Sequence, residues 1–206
     1  MRIVCISDTH MYHNSINIPE GDILICAGDH LGKSGAFEDI EDFNEFLGTQ
    51  KHKYKIVIAG NHDFAYQDYN DEAIALLTNG IYLEDSLIEI EGLRIYGSPW
   101  QPYFYGWAFN LHRGIELKEK WEMIPNNIDI LITHTPPYGI LDQVQGESFG
   151  CEDLLEELDR ISPKIHIFGH IHQGYGVLKK DKTTYINASI CNGYRQPKNK
   201  PIIINI

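Results

Sequence analysis

Ile3-Val4-Cys5-Ile6-Ser7-Asp8-Thr9-His10 is the stretch on which the fold of this chain turns. Four apolar residues in a row form a strand buried on both faces, as in a parallel sheet. The strand runs straight into a carboxylate and an imidazole two residues apart, which can therefore point the same way. The same design recurs. Ile23-Leu24-Ile25-Cys26-Ala27 leads into Gly28-Asp29, and Lys55-Ile56-Val57-Ile58-Ala59 into Gly60-Asn61-His62-Asp63. Ile128-Asp129-Ile130-Leu131-Ile132 leads into Thr133-His134, and Ile165-His166-Ile167-Phe168 into Gly169-His170-Ile171-His172. A last short motif is Asn187-Ala188-Ser189. Taken singly, an Asp or Asn after a strand is a cap or a turn residue. Five strands delivering ligand chemistry to one edge predict a site where open α/β sheets hold their ligands.

Length and composition set the frame. The 206 residues suffice for one well-buried core, so a single domain over 1–206 is expected. No apolar run approaches the roughly 20 residues that span a bilayer, and Met1-Arg2-Ile3-Val4 has none of the apolar region of a signal peptide. A cytoplasmic protein without membrane contact is the expectation. Cys5, Cys26, Cys151 and Cys191 show no CxxC spacing and are expected to be reduced and structural. The formal net charge of −12 repels polyanions, which argues against a nucleic-acid polymer and for a small phosphorylated substrate.

Strand and helix signals alternate through the first half. After the strand at Asp22–Ala27, Phe37, Ile40, Phe43, Phe46 and Leu47 recur at helical spacing over Ala36–Leu47, with Gly48 as the expected C-cap. Tyr54–Ala59 reads as a strand and Asp71–Leu77 as a short helix. The second half has short strand signals at Ile81–Glu84, Leu87–Glu91 and Leu93–Gly97, then an aromatic loop over Ser98–Asn110. Ile115–Ile124 and Cys151–Ile161 read as helices stopped before Pro125 and Pro163. Glu152–Asp159 is acidic with Leu154, Leu155 and Leu158 between the charges, an amphipathic helix with a solvated face. Gly176–Lys179, Thr183–Ala188 and Pro201–Ile206 end the chain in β structure. The class is α/β, with two mixed sheets packed face to face and helices outside.

Carboxylate oxygen, neutral imidazole and amide carbonyl together suit divalent first-row metals: manganese, iron, nickel, cobalt or zinc. Two ions need a bridging ligand, and Asp29, an isolated carboxylate at a strand end, is the natural one. In their order and spacing the motifs from Asp8-Thr9-His10 to Gly169-His170-Ile171-His172 resemble the calcineurin-like metallophosphoesterase superfamily. The resemblance implies that superfamily's fold and a dinuclear centre. Asp8, His10, Asp29 and His172 would hold one ion; Asp29, Asn61, His134 and His170 would hold the other. Manganese is the first choice. Gly97-Ser98-Pro99-Trp100, Gly106-Trp107-Ala108-Phe109-Asn110, Thr133-His134-Thr135-Pro136-Pro137, Gly169–Gly176 and Tyr185-Ile186-Asn187-Ala188-Ser189 look like the narrower metallophosphoesterase-domain-containing group. That group is associated with phosphodiesterase activity, including on cyclic nucleotides.

The implied enzyme is a metal-dependent phosphodiesterase in which a metal-bridging hydroxide attacks phosphorus. His62, not needed as a ligand, is expected to stabilise the phosphate or protonate the leaving oxygen, with Asp63 orienting it. A phosphomonoesterase or phosphoprotein phosphatase would use the same metals, and a non-catalytic scaffold would show eroded ligands, which are intact here. His30 stands where the group has a small or apolar residue and is expected to hydrogen-bond behind Asp29. His13, His52, His112 and His166 are expected on the surface or on strand faces, His13 near the site mouth. In the aromatic loop, Trp100, Tyr103 and Tyr105 are the candidates for substrate stacking, while Trp107 and Phe109 are expected to pack the loop down. Arg113 is a candidate phosphate contact or a surface salt bridge. Asn187-Ala188-Ser189 offers no clear ligand and is read as a family landmark.

Overall fold

The computed structural model of the protein describes residues 1–32 and 35–206. In its first half, strands β1 (Arg2–Ile6), β2 (Ile23–Ala27), β3 (Tyr54–Ile58) and β4 (Ile81–Tyr82) run parallel. Helices α1 (Phe37–Thr49), α2 (Phe64–Asp68) and α3 (Asn70–Leu76) fill their connections. A hairpin of β5 (Ser86–Ile90) and β6 (Leu93–Ser98) follows, and β7 (Gln101–Pro102) pairs with β8 (Asn110–Leu111) to close the aromatic loop. Helix α4 (Ile115–Glu122) then leads to β9 (Ile130–Thr133), and the small hairpin β10 (Gln143–Val144) and β11 (Glu147–Ser148) to α5 (Glu152–Ile161). The remaining strands are β12 (Ile165–Phe168), β13 (Gly176–Lys180), β14 (Thr183–Asn187) and β15 (Ile202–Asn205). One sheet has the order β15-β1-β2-β3-β4 and the other β13-β14-β12-β9-β6-β5. The edge strands β15, β13 and β5 are antiparallel to their neighbours, so both sheets are mixed.

Period-two alternation sorts each strand between two cores. Ile3, Cys5, Ile23, Ile25, Ile56 and Ile58 meet Ile95, Ile130, Ile132, Ile165, Ile167 and Ile186 between the sheets. Each such burial contributes about 1.5–3 kcal/mol. The opposite faces, Val4, Ile6, Leu24, Cys26 and Val57, lie against Ile40, Phe43, Phe46 and Leu47 of α1. On the second sheet, Tyr96, Leu131, Phe168 and Tyr185 lie against Leu117 and Trp121 of α4 and Leu154, Leu158 and Ile161 of α5. The acidic run of α5 is thus the outer face of a helix whose leucines are buried.

One local expectation changes, and some short elements are new. Helix α1 passes through Gly48 to Thr49, and Gln50 N donates to Leu47 O at its end. Gly48 is placed instead against Asn79, whose amide lies 2.9 Å from where a Cβ would stand. Helix α2 and the β10–β11 hairpin are too short to leave a periodic signal and go unread in the sequence. The four cysteines are unpaired and buried. Among the described residues no helix is long and apolar enough to cross a membrane.

The parallel strands bring the C-terminal ends of β1, β2, β3, β9 and β12 to one edge of the sandwich. There the chain leaving β14 crosses from the second sheet to the first. Ser7 N donates to Ala188 O at 2.9 Å and Ile190 N to Ser7 O at 2.8 Å, so Ser7 and Ser189 pair across the seam.

Candidate metal centre and substrate cleft

At this edge the backbone leaves β1, β2 and β12 through left-handed residues. Asp8, His10, Asp29 and His170 have φ of 51°, 42°, 54° and 64°, a conformation costing on the order of 1 kcal/mol for a residue with a side chain. Backbone bonds hold these turns: Asp8 N donates to Gly28 O at 2.9 Å and His10 N to Asp29 O at 3.0 Å. Two glycines make the approach close enough. A Cβ on Gly28, itself at φ +91°, would overlap the His134 ring, and one on Gly169 would overlap the Asp8 carboxylate and the Ser7 hydroxyl.

The seven expected ligands converge on two adjacent clusters. In one, the Nε2 atoms of His10 and His172 lie 3.2 Å apart, His172 Nε2 is 3.2 Å from Asp8 Oδ1, and His10 Nε2 is 3.9 Å from Asp29 Oδ2. In the other, Asn61 Oδ1 lies 3.0 Å from His134 Nε2 and 2.8 Å from His170 Nδ1, and His134 Nε2 is 3.5 Å from Asp29 Oδ1. Asp29 touches both. Asp8 and Asp29 are buried, as is His134. Among the described residues, Asp8, His10 and His172 form one group able to hold a cation, and Asp8, Asp29 and His134 another.

Backbone carbonyls orient two of the imidazoles. His134 Nδ1 lies 2.9 Å from Ala27 O and His172 Nδ1 3.0 Å from Asn192 O. Each is a proton-donating contact that leaves Nε2 free to face the centre. Burial pushes His170 down to about 3 and His62 to about 4, and lowers His10, so these rings are neutral. Burial also opposes charge on His134, but the facing Asp29 carboxylate outweighs it and lifts this histidine to about 9. His172 is raised in the same way, burial losing to Asp8. Burial acts to raise Asp8 and Asp29, yet His172 and His134 respectively hold both below the ordinary carboxylate range. The donor set, two carboxylates, four imidazoles and an amide oxygen, fits divalent cations in those places.

Asp63 does not orient His62. Its Oδ2 accepts from Asp29 N at 2.8 Å and Gly60 N at 2.7 Å, and its Oδ1 from Leu31 N at 2.9 Å. The short turn from Gly60 brings the carboxylate back under β2, where it braces the Gly28-Asp29 turn. His30 lies behind it, with Nδ1 3.4 Å from Asp63 Oδ2, Nε2 3.3 Å from Tyr66 OH, and its ring stacked on Phe43 at 4.0 Å. It backs Asp29 at one remove.

A cleft of about 480 Å³ opens over the centre, lined by His10, Asp29, Asn61, His62, His170 and His172 at its floor. Tyr103, Phe104, Trp107 and Phe149 form an aromatic wall, joined by Arg113 and Arg195. Here the expectations for the aromatic loop partly invert. Trp107 lines the cleft and packs on His62 with the rings tilted by 30° and their centroids 4.4 Å apart. Trp100 instead packs into the helix layer, its Nε1 donating to Asp85 Oδ2 at 2.8 Å beneath Lys120. Tyr105 is 83% exposed and is not among the residues lining this cleft. Tyr103 lies on the cleft wall, and Phe109 is buried. Arg113 reaches the cleft but is paired with Glu152.

The other histidines sit away from the cleft. His13 is buried against Phe43 and Phe46 with Nε2 2.8 Å from Asp42, not at the mouth. His52 is buried rather than on the surface, His112 is exposed against Tyr103, and His166 is on a strand face but wholly buried. His62 N donates to Asp29 Oδ1 at 2.7 Å, and its Nε2 lies 3.2 Å from Arg195 Nη2. His10, Asp29 and His62 also form a possible cation group. A guanidinium on Nε2 makes that nitrogen a poor cation ligand, which leaves His62 available for other work.

Three functional positions escape the sequence. Ser189 Oγ donates to Asp8 Oδ2 at 2.8 Å, so the last motif positions an expected ligand. Asn187 Nδ2 donates to Ile171 O at 2.8 Å and its Oδ1 accepts from Ser189 N at 3.2 Å, tying the His170–His172 turn to the same network. The strand-end motif was the available signal for both. Arg195, in a polar loop with no motif, had none.

The Calcineurin-like phosphoesterase family model matches residues 1–174. Metallophosphoesterase domain-containing protein 1 of Homo sapiens is 48% identical over all of this chain and 71% of its own length. A UPF0046 protein of Caenorhabditis elegans is 41% identical over all of this chain and 75% of its own. One solved crystal structure shares the fold with a TM-score of 0.68 at 15% identity, over 90% of this chain and 89% of its own.

Proposed function

The chain belongs to the calcineurin-like phosphoesterase family, and from that premise we propose that it is a dinuclear metal-dependent phosphodiesterase acting on a small substrate such as a cyclic nucleotide. The observation that carries the reading is the convergence of Asp8, His10, Asp29, Asn61, His134, His170 and His172 beneath a cleft of nucleotide size, with His62 beside them. Asp8, His10, Asp29 and His172 would hold one ion, and Asp29, Asn61, His134 and His170 the second, manganese being our first choice. Such ions, when bound, polarise phosphoryl oxygens and acidify water.

The chain supplies the rest. Trp107 packs against the His62 ring and Asp29 holds its backbone at the cleft floor, where the ring stabilises the phosphoryl group or passes a proton to the leaving oxygen. The aromatic wall stacks a base or another flat part of the substrate and excludes water. The net charge of −12 disfavours a nucleic-acid polymer, and four unpaired cysteines suit the reducing cytoplasm.

The test is turnover of bis-p-nitrophenyl phosphate, p-nitrophenyl phosphate and 3′,5′- and 2′,3′-cyclic nucleotides with manganese, iron, nickel, cobalt and zinc. Diester hydrolysis is expected, and activity on monoesters alone would overturn the proposal. His62→Ala should retain its metal, measured by mass spectrometry, while kcat falls about 10²–10⁴-fold. Near-parental kcat would remove His62 from the chemistry.

A further inference from the structure

We infer that Arg195 is an anion-binding residue of this site, the side chain that contacts an outer oxygen of the substrate's phosphoryl group. The inference rests on the phosphoesterase reading and adds to it a residue beyond the 1–174 matched by the family.

The loop that carries Arg195 is built rather than slack. Asn192 N donates to Gln196 O at 2.8 Å and Arg195 N to Asn192 O at 2.8 Å. Asn192 Oδ1 accepts from Tyr194 N at 3.0 Å and Gln196 N at 3.1 Å. Arg195 itself is left-handed, with φ 55°. The same Asn192 carbonyl lies 3.0 Å from His172 Nδ1, and Cys191 N donates to Asp8 O at 3.3 Å. The loop is therefore indexed to two expected ligands, and it sets the guanidinium on the cleft beside them.

Charge decides what the guanidinium is for. It carries five N–H donors, and among the described residues its one hydrogen-bond contact is the 3.2 Å approach of Nη2 to the His62 ring. Among the described residues no carboxylate pairs with it, although the chain has 29 acidic residues against 17 basic ones. Arg113, on the same cleft, shows the ordinary outcome, paired with Glu152 and donating to Gly150 O. Nor is Arg195 needed to hold His62, which is already bracketed by Trp107 at 4.4 Å and His10 at 4.6 Å and tied by its backbone to Asp29. An unpaired planar fork on an ordered loop facing a phosphoesterase centre matches a phosphate oxygen.

The test uses the metal-loaded full chain as parent, R195A and R195K. Inorganic phosphate binding is measured by calorimetry, alongside KM and kcat for bis-p-nitrophenyl phosphate, metal content and melting temperature. R195A should weaken phosphate binding and raise KM by about tenfold or more, with R195K between. Metal content and melting temperature should stay parental and kcat should change less than KM. Parental phosphate affinity in R195A would overturn the inference. So would a fall in kcat without a change in KM or phosphate affinity, which would mean action through His62. A parent that binds phosphate but cleaves no ester would sink the phosphoesterase reading, while the phosphate arm still decides the role of Arg195.

Discussion

At the scale of the residue, the centre depends on partners that touch no substrate. Ser189 Oγ occupies one oxygen of Asp8, and the backbone N–H of His170 reaches both carboxylate oxygens at 3.0 and 3.1 Å. Removing such a support leaves the ligand free to rotate. Ser189→Ala is expected to lower metal affinity about 10–100-fold, read by competition with a chelator, while the fold persists. Unchanged affinity would mean that the His170 N–H alone fixes Asp8. What the sequence could show at this scale follows from how local the signal is. Asp8 with His10, and His170 with His172, are legible because their spacing lies inside one motif. Trp107 on His62 and Arg195 at the cleft are contacts between distant loops, and no local periodicity encodes them. Asp63 misled for the same reason: adjacent to His62 in the chain, it turns back to the β2 turn in space.

Elements carry the site because they end together. Five of the strands were readable as continuous apolar runs, since parallel strands are buried on both faces and need no polar alternation. Short pieces such as α2 and the β10–β11 hairpin owe their form to tertiary contacts. Strand β12 also holds a buried titratable group that has no part in the chemistry. His166 Nε2 lies 2.8 Å from Thr133 Oγ1, which itself donates to Thr135 O, while Nδ1 has no partner. Burial pushes this histidine down to about 3, against about 6.5 in the unfolded chain. The folded ring stays neutral where the unfolded one takes up a proton. Its contribution is therefore complete above pH 6.5 and is lost as pH falls toward 3. Between pH 7 and 5 it should cost about 2 kcal/mol. Urea unfolding at both pH values should show a flatter dependence for His166→Gln than for the parent. Equal slopes would mean that His166 ionises freely in the fold.

For the whole molecule, the decisive fact is where the centre lies. Asp8, His10, Asp29 and Asn61 come from the ends of one sheet, and His134, His170 and His172 from the ends of the other. The two layers otherwise meet through aliphatic side chains, which attract without direction. At this rim the seam is closed by the short Ser7–Ser189 pairing. Cations held there would act as a clasp on the sandwich, and clasping is linked to folding by mass action. Adding manganese to the stripped protein should raise its melting temperature in proportion to the logarithm of the free ion concentration, and His134→Ala should abolish much of that rise. A melting curve indifferent to divalent ions would place their binding outside the seam. The same clasp makes ion supply a control on lifetime as well as turnover: a molecule starved of metal would lose activity and, with its rim unfastened, become the one most readily opened and degraded.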